Sequence, residues 1–296
     1  ETLTAISLSH KTIAVAGTHG KTTTTGMMAH VLVELDKDPT VVIGSFLKTT
    51  DGGRSNFIAG KGEYFVVEAC EYKKSFLNIT PTIAIITNIE EDHLDFYKDI
   101  DDIKNAFFEF ASRIKEGGVL VLNLTEKNSK DVADRISKSR SDIKILDYAE
   151  IDSSIFHLKI PGQHNRLNAS SVFTVAQTLG LSDEEVVKSL ESFGGTWRRF
   201  EYKGRTIGGA VVYDDYGHHP TELRATIAGA REIFSDKKIV VAFQPHQYSR
   251  TKLLLDDFAK AFKGADNVYI LPIYAAREAP DPEVNNEILA ERIRQS

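Results

Sequence analysis

Thr12-Ile13-Ala14-Val15-Ala16-Gly17-Thr18-His19-Gly20-Lys21-Thr22-Thr23-Thr24 decides the fold of this chain. A short apolar and β-branched run ends at Ala16, a glycine-bearing loop follows, and an apolar helical pattern continues from Met27 to Leu35. Strand, loop and helix in that order make a phosphate site, because successive backbone N–H groups and a helix N-terminus offer fixed positive dipoles to phosphate oxygens. Lys21 would carry a full charge to the β- and γ-phosphates, and the Thr22 hydroxyl would bind Mg²⁺. Gly17, Thr18, His19, Gly20 and Thr23 would complete the cradle. The usual loop of this kind has a glycine where Val15 stands, so this is a variant. The structural alternative is a Gly-rich turn between strand and helix; Gly-Lys-Thr in this context favours the nucleotide.

Outward from this loop, strand-like and helix-like periods alternate, the pattern of a parallel α/β sheet. Strands are expected at Thr12–Ala16, Thr40–Ile43, Tyr64–Glu68, Thr82–Asn88, Val119–Asn123 and Ile143–Tyr148. Helices are expected at Lys21–Leu35, Ile103–Lys115, Ser129–Ser137, from near Gly162 to Leu179, and at Ser182–Phe193, where Ser182 and Glu185 read as a capping box. The continuously apolar runs Phe65-Val66-Val67 and Ile83-Ala84-Ile85-Ile86 fit strands covered on both faces. Gly194-Gly195-Thr196 reads as a linker, after which strands Ala210–Asp214, Ile239–Phe243 and Val268–Leu271 alternate with helices Pro220–Phe234 and Lys252–Phe262. The expected organisation is a mostly parallel, phosphate-loop domain over residues 1–194 and a smaller Rossmann-like α/β domain over residues 195–296. Both ends look cut, and the second domain reads as incomplete.

Composition narrows the function. A chain of 296 residues with 42% hydrophobic content can bury a sizeable core. The 36 basic and 42 acidic residues give a net charge of −6, which argues against a dedicated nucleic-acid surface. A single cysteine, Cys70, excludes an internal disulfide framework and fits a reducing compartment. No apolar run reaches the ~20 residues that span a bilayer, and no secretory signal opens the chain. The expectation is a cytoplasmic protein without membrane insertion.

Four further clusters bear chemistry. Glu68 ends one strand, and His93 follows another within Glu90-Glu91-Asp92-His93-Leu94-Asp95. Ligands of open parallel sheets lie beyond the carboxyl ends of strands, so Ala16, Glu68 and Asn88 would bring the loop, a carboxylate and an imidazole together. Near a triphosphate, Glu and His suit a second divalent ion; a solvated acidic loop explains the same segment. His164-Asn165-Arg166-Leu167-Asn168 places two carboxamides on one helix face, suited to an adenine edge, although Asn165 would equally well cap the helix. Trp197-Arg198-Arg199-Phe200 offers arginines for phosphate, or a pair of solvated cations between packing aromatics. Asp214-Asp215-Tyr216-Gly217-His218-His219-Pro220-Thr221-Glu222 and Phe243-Gln244-Pro245-His246-Gln247-Tyr248-Ser249-Arg250-Thr251 are polar strand-end loops. Pro220 and Glu222 suit a first helical turn, leaving Asp215, Tyr216 and His218 for a ligand.

Taken in order, these motifs resemble the ATP-dependent Mur ligases of peptidoglycan synthesis, over about Lys11 to Pro280. Within that family the chain is most similar to members that join L-alanine to UDP-N-acetylmuramate. The resemblance implies ATP, two Mg²⁺ ions and an acyl-phosphate intermediate. It further implies Lys21 and Thr22 on the γ-phosphate and first Mg²⁺, Glu68 and His93 on the second, and Asn165 and Asn168 with the His164 segment at adenine. Arg199 would meet the phosphates, Asp215 the ribose, and His218, His246 and Arg250 the amino acid and acyl phosphate. Set against that family, the resemblance implies that the UDP-sugar-binding domain and the last part of the carboxyl-terminal domain lie outside this sequence. Gln247 stands where many members have Arg, and Glu-Ala-Cys-Glu-Tyr replaces the commoner Glu-Ala-Asp-Glu-Ser. The alternatives are a recycling ligase that attaches a tripeptide, a nucleotide-hydrolysing switch, and a fragment that binds ATP with little ligation.

Overall fold

The computed structural model describes residues 2–48 and 53–296. They divide into two compact units, one running to Ile160 and resuming over His164–Trp197, the other comprising Pro161–Gln163 and Arg198–Ser296.

The first unit contains α1 (Thr2–Ser9), β1 (Lys11–Ala16), α2 (Lys21–Glu34), β2 (Thr40–Lys48), β3 (Arg54–Ile58), β4 (Tyr64–Glu68), β5 (Ile83–Ile86), α3 (Ile100–Ala111), β6 (Val119–Leu122), α4 (Lys127–Ser139), β7 (Lys144–Asp147), α5 (Gln163–Thr178) and α6 (Asp183–Ser192). Its seven strands run in the order β3-β2-β4-β1-β5-β6-β7, all parallel to their neighbours except β3, which pairs antiparallel with β2. Side chains of successive strand residues enter opposite cores, as the period of two requires. Ile13, Val15, Val66 and Ile85 join a cluster with α2, α5 and α6, whereas Ala14, Val67, Ala84 and Ile86 join one with α3 and α4. Covering both faces explains why these strands are continuously apolar.

Strand register places the site. Val15 pairs with Glu68 on one side and Ala16 with Ile86 on the other, so the ends of β1, β4 and β5 meet at one edge. The chain leaves β4, passes β1 and continues in β5, which makes that edge the switch point where α/β sheets bind ligands.

The second unit contains β8 (Glu201–Arg205), β9 (Val211–Asp214), α7 (Pro220–Ile233), β10 (Val240–Phe243), α8 (Tyr248–Leu253), α9 (Leu255–Lys260), β11 (Asn267–Ile270) and α10 (Asn286–Arg294). β8 and β9 form an antiparallel pair, and β10 and β11 a parallel one. Leu223 and Ile227 of α7 pack with Phe243, Phe258, Phe262 and Leu289 in a small core. The single helix expected over Lys252–Phe262 is two short ones, interrupted at Leu254 (φ −102, ψ 22).

Candidate active site

The phosphate-loop backbone is fixed by its own glycines and by the segment after β5. Gly17 has φ +134 and Gly20, the residue capping α2, has φ +83; both lie in the region that favours glycine. A Cβ on Gly17 would come within 2.0 Å of the Thr87 hydroxyl, and one on Gly20 within 2.7 Å of Asn168 Oδ1. The Asn88 carboxamide bonds His19 twice, accepting from its N–H at 2.9 Å and donating to its carbonyl at 3.0 Å. Thr18 N–H donates to the Asn88 carbonyl at 3.0 Å, and the Thr18 hydroxyl accepts from Glu90 N–H at 2.9 Å. Thr22 and Thr23, in the first turn of α2, are buried.

Two acids meet this loop. Glu68 Oε1 accepts from the Thr22 hydroxyl at 2.9 Å, while its Oε2 accepts from Gly44 N–H at 2.7 Å. Glu71 is the residue that sequence reasoning missed. Its side chain is only 4% exposed, and both of its oxygens lie 3.0 Å from Lys21 Nζ. His93 Nε2 stands 3.4 Å from the same carboxylate. Burial works against the charge on both Lys21 and Glu71, and their mutual attraction more than offsets it. The ammonium is therefore held above its ordinary range and the carboxyl below its own.

The expected residues are thus partly regrouped. Thr22 and Glu68 form one oxygen pair, and His93 is joined to Lys21 through Glu71, not to Glu68. The segment around His93 is not simply a solvated acidic loop, because Asp92 is buried and accepts from His93 N–H at 2.7 Å. Asn165 and Asn168 are both buried, and Asn165 is the third residue of α5, inside its first turn; the capping explanation does not hold. Glu126, which sequence reasoning also passed over, immediately precedes α4. Its carboxyl is pushed up to about 7, chiefly by burial, with Glu90 adding to the shift.

In the second unit, Asp215 organises the loop after β9. Its carboxylate accepts from Phe200 N–H at 2.8 Å, Gly217 N–H at 2.8 Å and the Thr226 hydroxyl at 3.2 Å. Glu222 accepts from the N–H groups of His218 and His219, at 2.9 and 3.2 Å, and His219 Nδ1 accepts from Thr221 N–H, so α7 opens on a reciprocal cap. Arg198 pairs with Asp214 at 3.1 Å; Arg199 lies 3.7 Å from Glu222, and both guanidinium groups lie over the Tyr216 ring. His218 and His246 have ring centroids 6.0 Å apart, and Arg250 Nη1 is 3.4 Å from His246 Nδ1. The three residues expected to act together are therefore neighbours. Burial, then the charges of His218 and Arg250, pull His246 below the ordinary imidazole value.

Comparison with known proteins supplies the family. A family model described as Mur ligase middle domain matches residues 15–176, and one described as Mur ligase, glutamate ligase domain, matches residues 198–296. The UDP-N-acetylmuramate–L-alanine ligase of Clostridium acetobutylicum is 42% identical, over 100% of this chain and 68% of its own length. The crystal structure of the UDP-N-acetylmuramate–alanine ligase of Thermotoga maritima superposes with a TM-score of 0.76 at 28% identity, covering 99% of this chain and 66% of that one. A murein peptide ligase from Psychrobacter arcticus gives 0.65 at 25% identity, covering 89% and 63% respectively. The chain spans between 62% and 68% of the length of three such curated relatives. No helix among the described residues is long and apolar enough to cross a membrane.

Proposed function

The chain belongs to the Mur ligase family, and we propose on that footing that it carries the ATP-binding and amino-acid-binding parts of a ligase joining L-alanine to the carboxylate of UDP-N-acetylmuramate. The observation that carries this is the edge where β1, β4 and β5 end: a phosphate loop, a hydroxyl–carboxylate pair and a Lys21–Glu71–His93 set around a buried carboxylate. ATP would phosphorylate the muramoyl carboxylate, with ADP leaving. The alanine amine would then attack the acyl carbon and expel phosphate.

The loop N–H groups of Gly20, Lys21, Thr22 and Thr23 and the Lys21 ammonium bind the triphosphate, while Asn88 takes the N–H groups of Thr18 and His19 and so shapes the loop. Mg²⁺ fits the Thr22–Glu68 pair, which already presents two hard oxygens 2.9 Å apart, and His93, whose Nε2 stands 3.4 Å from Glu71, would supply a nitrogen from beside it. Bound there, it would neutralise charge on the phosphoryl group in transfer; two ions are the expected number. Asn168, set against Gly20, reads adenine with Asn165 and His164. Arg199 serves the phosphates and Asp215 the ribose. His218, His246 and Arg250 serve the amino acid and acyl phosphate, and burial favours the neutral form of the His246 imidazole. The site would work in the bacterial cytoplasm.

The test is ADP release with ATP, Mg²⁺ and UDP-N-acetylmuramate, supplying L-alanine, glycine, L-serine or the tripeptide separately. It is run on this chain alone and on the full-length protein. ADP release requiring both the sugar nucleotide and L-alanine is expected from the full-length protein, with ATP binding but weak ligation from the chain alone. Preference for the tripeptide would assign the recycling reaction, and release indifferent to every amine would leave a nucleotide hydrolase.

A further inference from the structure

We propose that Tyr72 is a positioning residue of the phosphate site, forming with Glu71 a two-residue clamp that sets the imidazole of His93; this rests on reading Lys21, Thr22, Glu68 and His93 as a nucleotide–metal site. The Tyr72 ring lies against the imidazole, with centroids 4.7 Å apart and planes tilted by 39°. Its hydroxyl donates to Asp95 Oδ2 at 2.9 Å, and its ring meets Phe96 at 6.1 Å. One side chain therefore touches the His93 turn at His93 itself and at two residues beyond it.

The turn needs such support. His93 has φ +54, a conformation that costs energy for any residue with a Cβ and persists only where its surroundings hold it. Part of the support is local: Asp92 accepts the His93 N–H, and the His93 carbonyl accepts from the N–H groups of Phe96 and Tyr97. These bonds fix the backbone, and on the ring itself the local turn offers only Asp92 Oδ2, 3.8 Å from Nε2. Glu71 bonds one edge of the ring at Nε2, and Tyr72 packs on it. Glu71 itself is anchored, since the Tyr97 hydroxyl donates to its carbonyl and Lys21 occupies its carboxylate. Two consecutive residues thus connect the phosphate-loop lysine, the imidazole and the His93 turn. Neighbours that orient a ligand side chain in this way commonly change metal affinity about 10–100-fold when removed.

Calorimetry with the non-hydrolysable analogue AMPPNP tests the clamp, with Mg²⁺ titrated in one series and EDTA present in the other. The proteins are wild type, Tyr72→Phe, Tyr72→Ser, Tyr72→Leu and Asp95→Asn. Tyr72→Ser is expected to raise the Mg²⁺ concentration for half-maximal binding about tenfold while leaving the EDTA affinity unchanged. Tyr72→Leu keeps apolar bulk without the aromatic face and is expected to behave likewise, so the comparison survives if the serine variant fails to fold. Tyr72→Phe keeps the ring and should recover most of the loss, matching Asp95→Asn. An unchanged Mg²⁺ requirement in both ringless variants overturns the clamp, as does a parallel loss of affinity with and without Mg²⁺. Wild-type binding that ignores Mg²⁺ would instead bring down the nucleotide–metal reading on which the clamp rests.

Discussion

Lys21 and Glu71 are buried against each other, and removing one charge leaves the other without a partner in a place that water hardly reaches. Glu71→Gln is accordingly expected to cost about 3–5 kcal/mol in a denaturant titration at neutral pH, besides weakening nucleotide binding. The sign of the pH dependence follows from the shifts. Glu71 is held low, so its stabilisation is complete above the ordinary carboxyl range and disappears as pH falls through the lowered value; Lys21 is held high, so its share disappears only as pH rises through the raised value. The wild type should therefore keep its advantage down to the lowered carboxyl value and unfold in acid at lower pH than if the pair contributed nothing, and neutral pH should show no step from it. Glu126 behaves oppositely. With its carboxyl pushed up to about 7, stability is full below the ordinary value and is lost as pH rises through 7. Glu126→Gln should raise the melting temperature at pH 8 and leave it unchanged at pH 4, equivalent to about 1–2 kcal/mol after allowing for partial exposure; equal melting shifts at both pH values would contradict this. Glu71 escaped sequence reasoning because Glu68 already ended the strand, and nothing in Glu-x-x-Glu tells which acid turns back onto the lysine. The phosphate loop was legible because its chemistry is local: glycine, lysine and threonine are needed at adjacent positions.

At the scale of elements, α7 shows how one acid serves several groups. Glu222 accepts from His218 and His219 N–H and lies beside Arg199, so it sets the entry of α7 and the posture of that arginine together. Glu222→Ala is expected to lower the stability of the second unit by about 1–2 kcal/mol, whereas Glu222→Gln, which still accepts from the N–H groups, should lose only tenths. Hydrogen exchange at the His218 and His219 amides would read this directly: protection retained in the alanine variant would remove the cap from the account. The elements legible beforehand were those whose apolar residues repeat toward a core, such as β4 and α3. β3 and β8 were not, because Arg54-Ser55-Asn56 and Glu201-Tyr202-Lys203 lie in mostly exposed edge pairs where alternation has no core to report. The break in the α8–α9 run was hidden because Leu253-Leu254-Leu255 carries no glycine or proline, and only tertiary packing distinguishes an interrupted helix from a continuous one there.

On the scale of the whole molecule, the two units differ in how much holds each together. The first has a seven-stranded sheet with an apolar core on either face, and it contains the phosphate loop, Glu68, Glu71, His93, Asn165 and Asn168. The second has two-stranded sheets, a form that is marginal by itself, and leaves Val240, Tyr269 and Leu271 of the β10–β11 region exposed. Local stability follows buried apolar contact, so the units should not unfold as one. We expect hydrogen exchange to show the amides of β10 and β11 opening at lower denaturant than those of β1, β4 and β5. Residues 1–197 alone should melt cooperatively and bind AMPPNP within about tenfold of the whole chain, because the contacts proposed for the triphosphate lie in that unit and only those proposed for Arg199 and Asp215 are lost. Trp197, the only tryptophan, ends that segment, with its N–H bonded to the Phe46 carbonyl at 3.1 Å and its ring at 5.4 Å from Phe46. Its emission gives the melting curve of the first unit without a label. A single transition, with Trp197 emission and β10–β11 exchange changing together, would show that the units stabilise each other and that nucleotide affinity cannot be assigned to the first alone.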